Sequence, residues 1–190
     1  MKNCGTQTIK TQRLVLRRFK ISDIEPFYRN MASDEQALKY LTWRAHKNTY
    51  ITKNSIERWI ADTEATNCYV WCIELDEVGE SIGSILVTRL DEKKGVARVG
   101  YYIGSAFWNK GYVTEALGAV IGFLFERVGV VKVECEHDLG NPASGRVMEK
   151  CGMQYERTRQ RSIVNNRGLC DTAVYGIYFS DYERTKDGLN

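Results

Sequence analysis

The chain opens with a stretch in which apolar and basic residues alternate, RLVLRRF at 13–19, and alternation of period two marks a half-buried strand. SDIEPFYRNM follows, with Ser22 as a candidate N-cap and Glu25 three residues on, the spacing of a capping box. DEQALKYL (34–41) reads as helix. A polar stretch then runs to residue 54, where NSIERWIADTEA (54–65) takes up the spacing of an amphipathic helix. Three strands come next, YVWCIEL (69–75), SIGSILVTRL (81–90) and VARVGYYIG (96–104), the first two joined by the turn VGE (78–80) into a hairpin. VTEALGAVIGFLFERV (113–128) is a long helix, VVKVECEHD (130–138) a strand and NPASGRVMEKCG (141–152) a short helix. MQYERT (153–158) and TAVYGIYFS (172–180) are closing strands. The order β-α-α-β-β-β-α-β-α-β-β combines antiparallel hairpins with a strand–helix–strand unit, whose crossover must be right-handed. It predicts an α+β domain with a mixed, mostly antiparallel sheet of about seven strands.

Composition narrows the field. The chain has 190 residues, 43% hydrophobic and 27% charged, which suits one domain over 1–190 with a substantial core. Two prolines and no low-complexity run give no sign of a linker. The start, MKNCGTQTIKTQR, has no apolar h-region, and no apolar run approaches ~18 residues, so neither a signal peptide nor a membrane span is expected and a cytoplasmic location is. A net charge of +3 is mild. The densest basic cluster, ERTRQR at 156–161, reads as a solvated strand and turn, with an acidic or phosphate partner as the alternative. Direct nucleic-acid binding is not expected, because duplex binders show a denser basic stripe. Six cysteines form no CxxC pair, and His46 and His137 lie far apart, so no metal site is expected. The thiols are expected to be reduced, with Cys135 and Cys151 in the core.

The chemistry concentrates at two helix starts. FWNKGYVTEA (107–116) sets one glycine among bulky side chains where a strand gives way to a helix. A helix N-terminus carries unpaired N–H groups and partial positive charge, and it attracts phosphate. A glycine there lets an anion reach the backbone with no Cβ in the way. Gly111 is thus a candidate phosphate contact, with Lys110 adding charge; a tight loop needing one glycine is the alternative. Neither GxxxxGK[ST] nor GxGxxG occurs. Asn141 before Pro142 is the second start, with Asn at the N-cap, Pro at N1, Ser144 at N3 and Gly152 closing the helix at C′. If the strands before these helices are parallel neighbours, both starts lie at one sheet edge, where α/β units bind ligands.

IGSAFWNKGYVTEA and NPASGRVMEKCGM resemble the two signature segments of the GCN5-related N-acetyltransferases (GNAT). TQRLVLR at 11–17 resembles the T-x-R-L-x-L-R found near the start of the branch that contains the ribosomal-protein N-terminal acetyltransferases. That branch's W-x-K-G-Y-x-T-E-A and N-x-x-S-x-x-v-x-e-k-x-G are matched at 108–116 and 141–152. The resemblance spans the chain in order. It implies a GNAT fold with helices on both faces of a twisted sheet and a splayed parallel strand pair, here near 99–104 and 131–137, that binds acetyl-CoA as cosubstrate. It implies that the coenzyme diphosphate rests on the turn formed by Trp108, Asn109, Lys110, Gly111, Tyr112, Val113 and Thr114. It also implies that the Ile103 amide donates to the thioester carbonyl and stabilises the oxyanion. Asn141 would hydrogen-bond the pantetheine chain, compatibly with capping, and Ser144 and Met148 on the same helix belong to the cofactor site.

Acetyl transfer requires a deprotonated amine, a polarised carbonyl and a stabilised leaving thiolate; no covalent intermediate is needed when amine and thioester are held together. Arg98 stands where many relatives carry a glutamate, and arginine cannot act as a base at neutral pH. A water chain, Glu134, Glu136 or His137 is left for that role, with Glu136 and His137 as the catalytic candidates and a solvated strand end as the alternative. Met148 stands where many relatives place a tyrosine acid. Ser144, three residues past Asn141, is the branch's substitute and the third catalytic candidate, with first-turn capping as its other reading. Val113 replaces a preferred Gly or Ala and is expected to shift the loop slightly. The acceptor, a protein N-terminus or a small amine, is expected to meet residues 21–65, with Trp43, Tyr50, Trp59 and Tyr69 as candidates and Trp59 assigned to the core. The replaced residues at 98 and 148 keep open an acyl-CoA-binding sensor or subunit without turnover. A homodimer is compatible with the resemblance.

Overall fold

The computed structural model describes residues 1–187. Eight strands form one sheet in the order β1-β2-β3-β4-β5-β6-β8-β7. They are β1 (Ile9–Lys10), β2 (Leu14–Arg17), β3 (Val70–Leu75), β4 (Glu80–Asp91), β5 (Val96–Ile103), β6 (Lys132–Asp138), β7 (Gln154–Asn165) and β8 (Gly168–Tyr178). Every neighbouring pair is antiparallel except β5 with β6. The strand beyond the expected seven is β1, whose two residues are too short to show a period.

Helices cover both faces. On one lie α1 (Ile24–Phe27), α2 (Glu35–Leu38) and α3 (Thr49–Asp62), where Phe19, Phe27, Met31, Leu38 and Ile56 pack on Val70 and Cys72. On the other lie α4 (Tyr112–Phe123), continued by a π turn over Leu124–Val128, and α5 (Pro142–Lys150). They bury Ala116, Leu117, Val120, Ile121 and Met148 against Leu14, Leu16, Trp71, Ile73, Val99 and Val133. The last helix, α6 (Phe179–Asp187), continues from β8 and packs Phe179 and Tyr182 on Phe125.

Three local expectations are corrected. Ser22 is exposed and caps nothing; the Asp23 carboxylate accepts from the Lys20 N–H (2.7 Å) and binds the buried Arg17 guanidinium (2.7 Å), which Glu74 also contacts. The helix expected from residue 54 begins at Thr49, because the Asn48 side chain accepts from the Ile51 N–H at 3.2 Å. The closing strands extend through 159–171 as a long hairpin, with register shifts between Tyr155 and Arg157 and between Arg159 and Ile163.

Candidate active site

The parallel pair is short. β5 and β6 pair from Val96↔Lys132 to Val99↔Cys135 and then part. β5 stays paired with β4 as far as Ile103↔Gly83, and β6 with β8 as far as Asp138↔Thr172. Residues 100–103 and 136–138 therefore face a gap that no strand of the sheet fills. The Gly104 N–H donates to the Ile82 carbonyl (3.1 Å), which makes Ile103 and Gly83 a non-hydrogen-bonded pair. The N–H and C=O of Ile103, and by alternation those of Tyr101, consequently turn towards the gap. The Ile103 carbonyl accepts from the Trp108 indole N–H at 3.1 Å.

Beyond Ile103 the chain makes a 3-10 turn over Ser105–Phe107, passes through two left-handed residues, Asn109 (φ 60) and Gly111 (φ 79), and enters α4. No side chain caps that helix, so its first amides are left open. The turn is held from behind. The Glu115 carboxylate accepts from the Thr11 hydroxyl (2.6 Å) and from the Arg13 backbone N–H and Nε (2.8 Å each), while Arg13 Nη1 donates to the Lys110 carbonyl (2.9 Å). Arg13 also lies over the Tyr112 ring at 4.7 Å. The Thr-x-Arg start and the Thr-Glu-Ala segment, some hundred residues apart in sequence, are the two halves of one clamp.

A cleft of about 470 Å³ opens between the gap, this turn and the first turn of α5. Of the residues expected at the cofactor site, Ile103, Trp108, Asn109, Gly111, Tyr112, Val113, Thr114, Asn141 and Ser144 line it. Lys110 and Met148 do not: the Lys110 ammonium sits 5.7 Å over the Phe107 ring, and Met148 is packed in the core at 1% exposure. Asn141 holds the N-cap position without a side-chain cap bond, which leaves its amide on the cleft wall. Arg146 and Lys150 add positive charge along α5. Gly152 closes α5 with φ 78, as read from the sequence.

The acid–base candidates separate. The Ser144 hydroxyl is in the cleft, 2.9 Å from the hydroxyl of Tyr101, a residue the sequence reading passed over. Glu136 is not in the cleft; it is paired with Arg98 (3.3 Å) and Arg159 (3.2 Å). Glu134 is bound by Arg98 (3.4 Å) and Lys132 (2.8 Å). Burial alone would raise the Glu134 pKa, but its bonds to Lys132 and Arg98 outweigh that and hold it below the usual range. Arg98 is thus the counter-ion of two carboxylates on the sheet face opposite α4. His137 lies beneath α5, its Nδ1 donating to the Asp138 carbonyl (2.8 Å) and its ring 5.7 Å from that of Tyr175. A Cβ at Gly145 would come within 2.8 Å of His137 Nε2, so the helix rests on the imidazole and screens it from the cleft.

The far side of the cleft is aromatic and apolar, with Ala37, Tyr40, Leu41 and Tyr102. Of the aromatics expected there, Trp43 is adjacent, 5.6 Å from the Tyr102 ring. Tyr69 is in the core, Trp59 packs on Phe19 and Phe27, and Tyr50 is 67% exposed over a separate hollow with Ile21. The tip of the β7–β8 hairpin borders this side. Asn166 donates to the Leu38 and Trp43 carbonyls (2.9 and 2.8 Å), and Asp138 anchors the tip by accepting from Asn165 (2.8 Å) and Arg167 (3.1 Å).

Among the described residues no cluster of three or more His, Cys, Asp or Glu could hold a metal ion, and no helix is long and apolar enough to cross a membrane. Burial pushes the Cys72 and Cys151 thiols up to about 12.

The chain is 27% identical over 169 residues to the uncharacterized N-acetyltransferase YoaA of Bacillus subtilis, covering 89% of this chain and 95% of that protein. Its fold matches the microcin C7 self-immunity acetyltransferase MccE, solved with acetyl-CoA and AMP, at TM-score 0.80 and 20% identity over 89% of this chain and 94% of that one. It matches the ribosomal-protein-S5-alanine acetyltransferase of Vibrio fischeri equally well, at TM-score 0.80 and 14% identity over 93% and 98%. The family model of the acetyltransferase (GNAT) domain matches residues 13–154, and with the interrupted parallel pair and the uncapped helix beside it, the chain belongs to the GNAT acetyltransferase family.

Proposed function

We propose that this protein transfers the acetyl group of acetyl-CoA to a primary amine by direct attack in a ternary complex. The observation that carries the reading is the gap between β5 and β6, flanked by the open amides of α4. It offers backbone donors to an amide-bearing arm and to phosphates at the same sheet edge. Acetyl-CoA supplies the acetyl group as a thioester. The turn at 108–114 would take the diphosphate on its amides. The Asn141 side chain would hold the pantetheine arm, and the Ile103 N–H, turned into the gap, would polarise the carbonyl. The Ser144 hydroxyl would meet the leaving sulfur.

No Asp, Glu or His is among the described residues that line the cleft, so the amine's proton would leave through water. That favours acceptors at least about half neutral near pH 8, such as an α-amine with a pKa of about 7.7–8.0, over an alkyl ammonium near 10.4. A protein N-terminus is of this kind, and the Vibrio fischeri neighbour is named for an alanine of ribosomal protein S5. Arg98, in the place of the missing glutamate, is occupied as the counter-ion of Glu134 and Glu136.

Calorimetric titration with acetyl-CoA, using Gly111→Trp as the control, tests the cofactor site, and thiol release over N-terminal peptides and small amines tests turnover. Binding that is lost in the control, with release of free CoA in the presence of an α-amine, is expected. No binding by the wild type would overturn the reading; binding without release from any amine would make the protein a sensor.

A further inference from the structure

Ser144 is in the first turn of α5 and Tyr101 in β5, 43 residues apart, yet their hydroxyls meet at 2.9 Å inside the cleft. The Tyr101 hydroxyl is also 3.0 Å from the Ser144 carbonyl. Among the described residues, Tyr101 is the only partner of the Ser144 hydroxyl. Tyr101 stays protonated across the working range, since burial holds its pKa well above the ordinary tyrosine value although the Ser144 bond pulls the other way.

One phenolic proton and two acceptors allow two arrangements. In the first, Tyr101 donates to the Ser144 carbonyl and accepts from the Ser144 hydroxyl, which turns the serine proton away from the cleft. In the second, reached by rotation about the phenol C–O bond, Tyr101 donates to Ser144 Oγ, and the serine proton is released to point into the cleft. The geometry points to Tyr101 as the positioning residue that sets the direction of the Ser144 proton, turning it towards the leaving sulfur as negative charge develops there. This inference rests on the acetyltransferase reading. A chain in which phenol donates to hydroxyl and hydroxyl to thiolate is polarised cooperatively, so the second arrangement gains as the C–S bond breaks. No proton leaves Tyr101; the phenol reorients and the hydrogen bond to sulfur comes from Ser144. The stabilisation exists in the transition state and not in the ground state, so it acts on kcat.

The test is a double-mutant cycle of Tyr101→Phe, Ser144→Ala and the pair, with kcat, KM and the calorimetric Kd for acetyl-CoA measured for each. Tyr101→Phe keeps the ring, and its melting temperature reports whether the cleft is intact. The expected result is an about tenfold fall in kcat for Tyr101→Phe, the scale of one hydrogen bond strengthened by charge, with KM and Kd within twofold. In the Ser144→Ala background the same change should do nothing more. A purely structural tyrosine would lower both backgrounds equally, and that additive outcome would overturn the inference, as would wild-type kcat in Tyr101→Phe. Acetyl-CoA binding and turnover intact in the wild type, with additive or absent effects, would sink only this inference. A wild type that binds no acetyl-CoA would sink the parent reading with it.

Discussion

Replacing Glu115 with alanine should loosen the turn before α4 from behind. The carboxylate accepts three hydrogen bonds, from the Thr11 hydroxyl, the Arg13 backbone N–H and Arg13 Nε. Its side chain is 16% exposed but that of Arg13 is 43% exposed, so the ion pair itself is discounted to below about 1 kcal/mol. The two bonds to neutral donors contribute about 1 kcal/mol each, giving about 2–3 kcal/mol in all for Glu115→Ala. Glu115→Gln keeps an oxygen for Thr11 and the Arg13 N–H and should cost about 1 kcal/mol. At about 2–4 °C per kcal/mol for a domain of this size, thermal melting should fall by about 4–12 °C for alanine and about 2–4 °C for glutamine. Both should weaken acetyl-CoA binding, because Arg13 ties the clamp to the Lys110 carbonyl. The pH dependence has a defined sign. Burial alone would raise the Glu115 pKa, but the Thr11 and Arg13 bonds overcome that and hold it below the usual value. A depressed folded pKa contributes stability that is complete above the unfolded carboxylate value, about 4.3, and lost as pH falls through the folded one. The advantage of wild type over Glu115→Gln should therefore hold at pH 7 and shrink below about pH 4. Melting of Glu115→Ala within 1 °C of wild type, or a difference between Glu and Gln that persists at low pH, would refute the clamp.

Gly111→Val forces a β-branched residue to φ 79 and sets its Cβ 3.4 Å from Arg13 Nη2, so it should lower stability by about 1–3 kcal/mol and raise the acetyl-CoA Kd at least tenfold by calorimetry. Glu136→Gln should keep kcat within about threefold of wild type, with no pH limb removed from the rate profile, since that carboxylate is committed to Arg98 and Arg159. Asp138→Ala leaves the Asn165 and Arg167 donors unpaired and should release the hairpin tip, seen as faster amide exchange at 165–168. In the folded protein at pH 8, Cys72 and Cys151 should resist iodoacetamide until denaturant is added, as mass spectrometry of the labelled peptides would show.

β2, β3 and β6 lie within about two residues of where their patterns placed them, β2 by alternation and β3, buried on both faces, as an apolar run. The β7–β8 extension did not show in the pattern, because β7 is exposed along most of its length and has no apolar face to write a period of two. Its turn was legible in principle: Gly168, at φ 104, ends a two-residue loop paired as Asn165↔Gly168. The start of α3 was hidden by Tyr50 and Ile51, which are apolar but exposed, while the capping signal lay in Asn48. The turn and the helix start that line the cleft were readable because each is continuous in sequence. The acid–base side was not, since Arg98, Glu136 and Arg159 come from three strands and Tyr101 meets Ser144 across the cleft. A linear motif names the residues of a turn; it does not say which charge neutralises which.

The parting of β5 and β6 leaves two raw strand edges in the middle of the molecule instead of at its rim. An edge is a row of peptide groups awaiting a partner. Here the row opens onto the cleft between the turn before α4 and the first turn of α5. What the gap presents is largely main chain, an alphabet that substitution barely alters. The architecture around the gap persists at TM-score 0.80 in a neighbour only 14% identical. The opposite rim, made of Tyr40, Leu41, Tyr102 and a borrowed hairpin tip, is built of side chains instead, so its shape and chemistry change with each substitution.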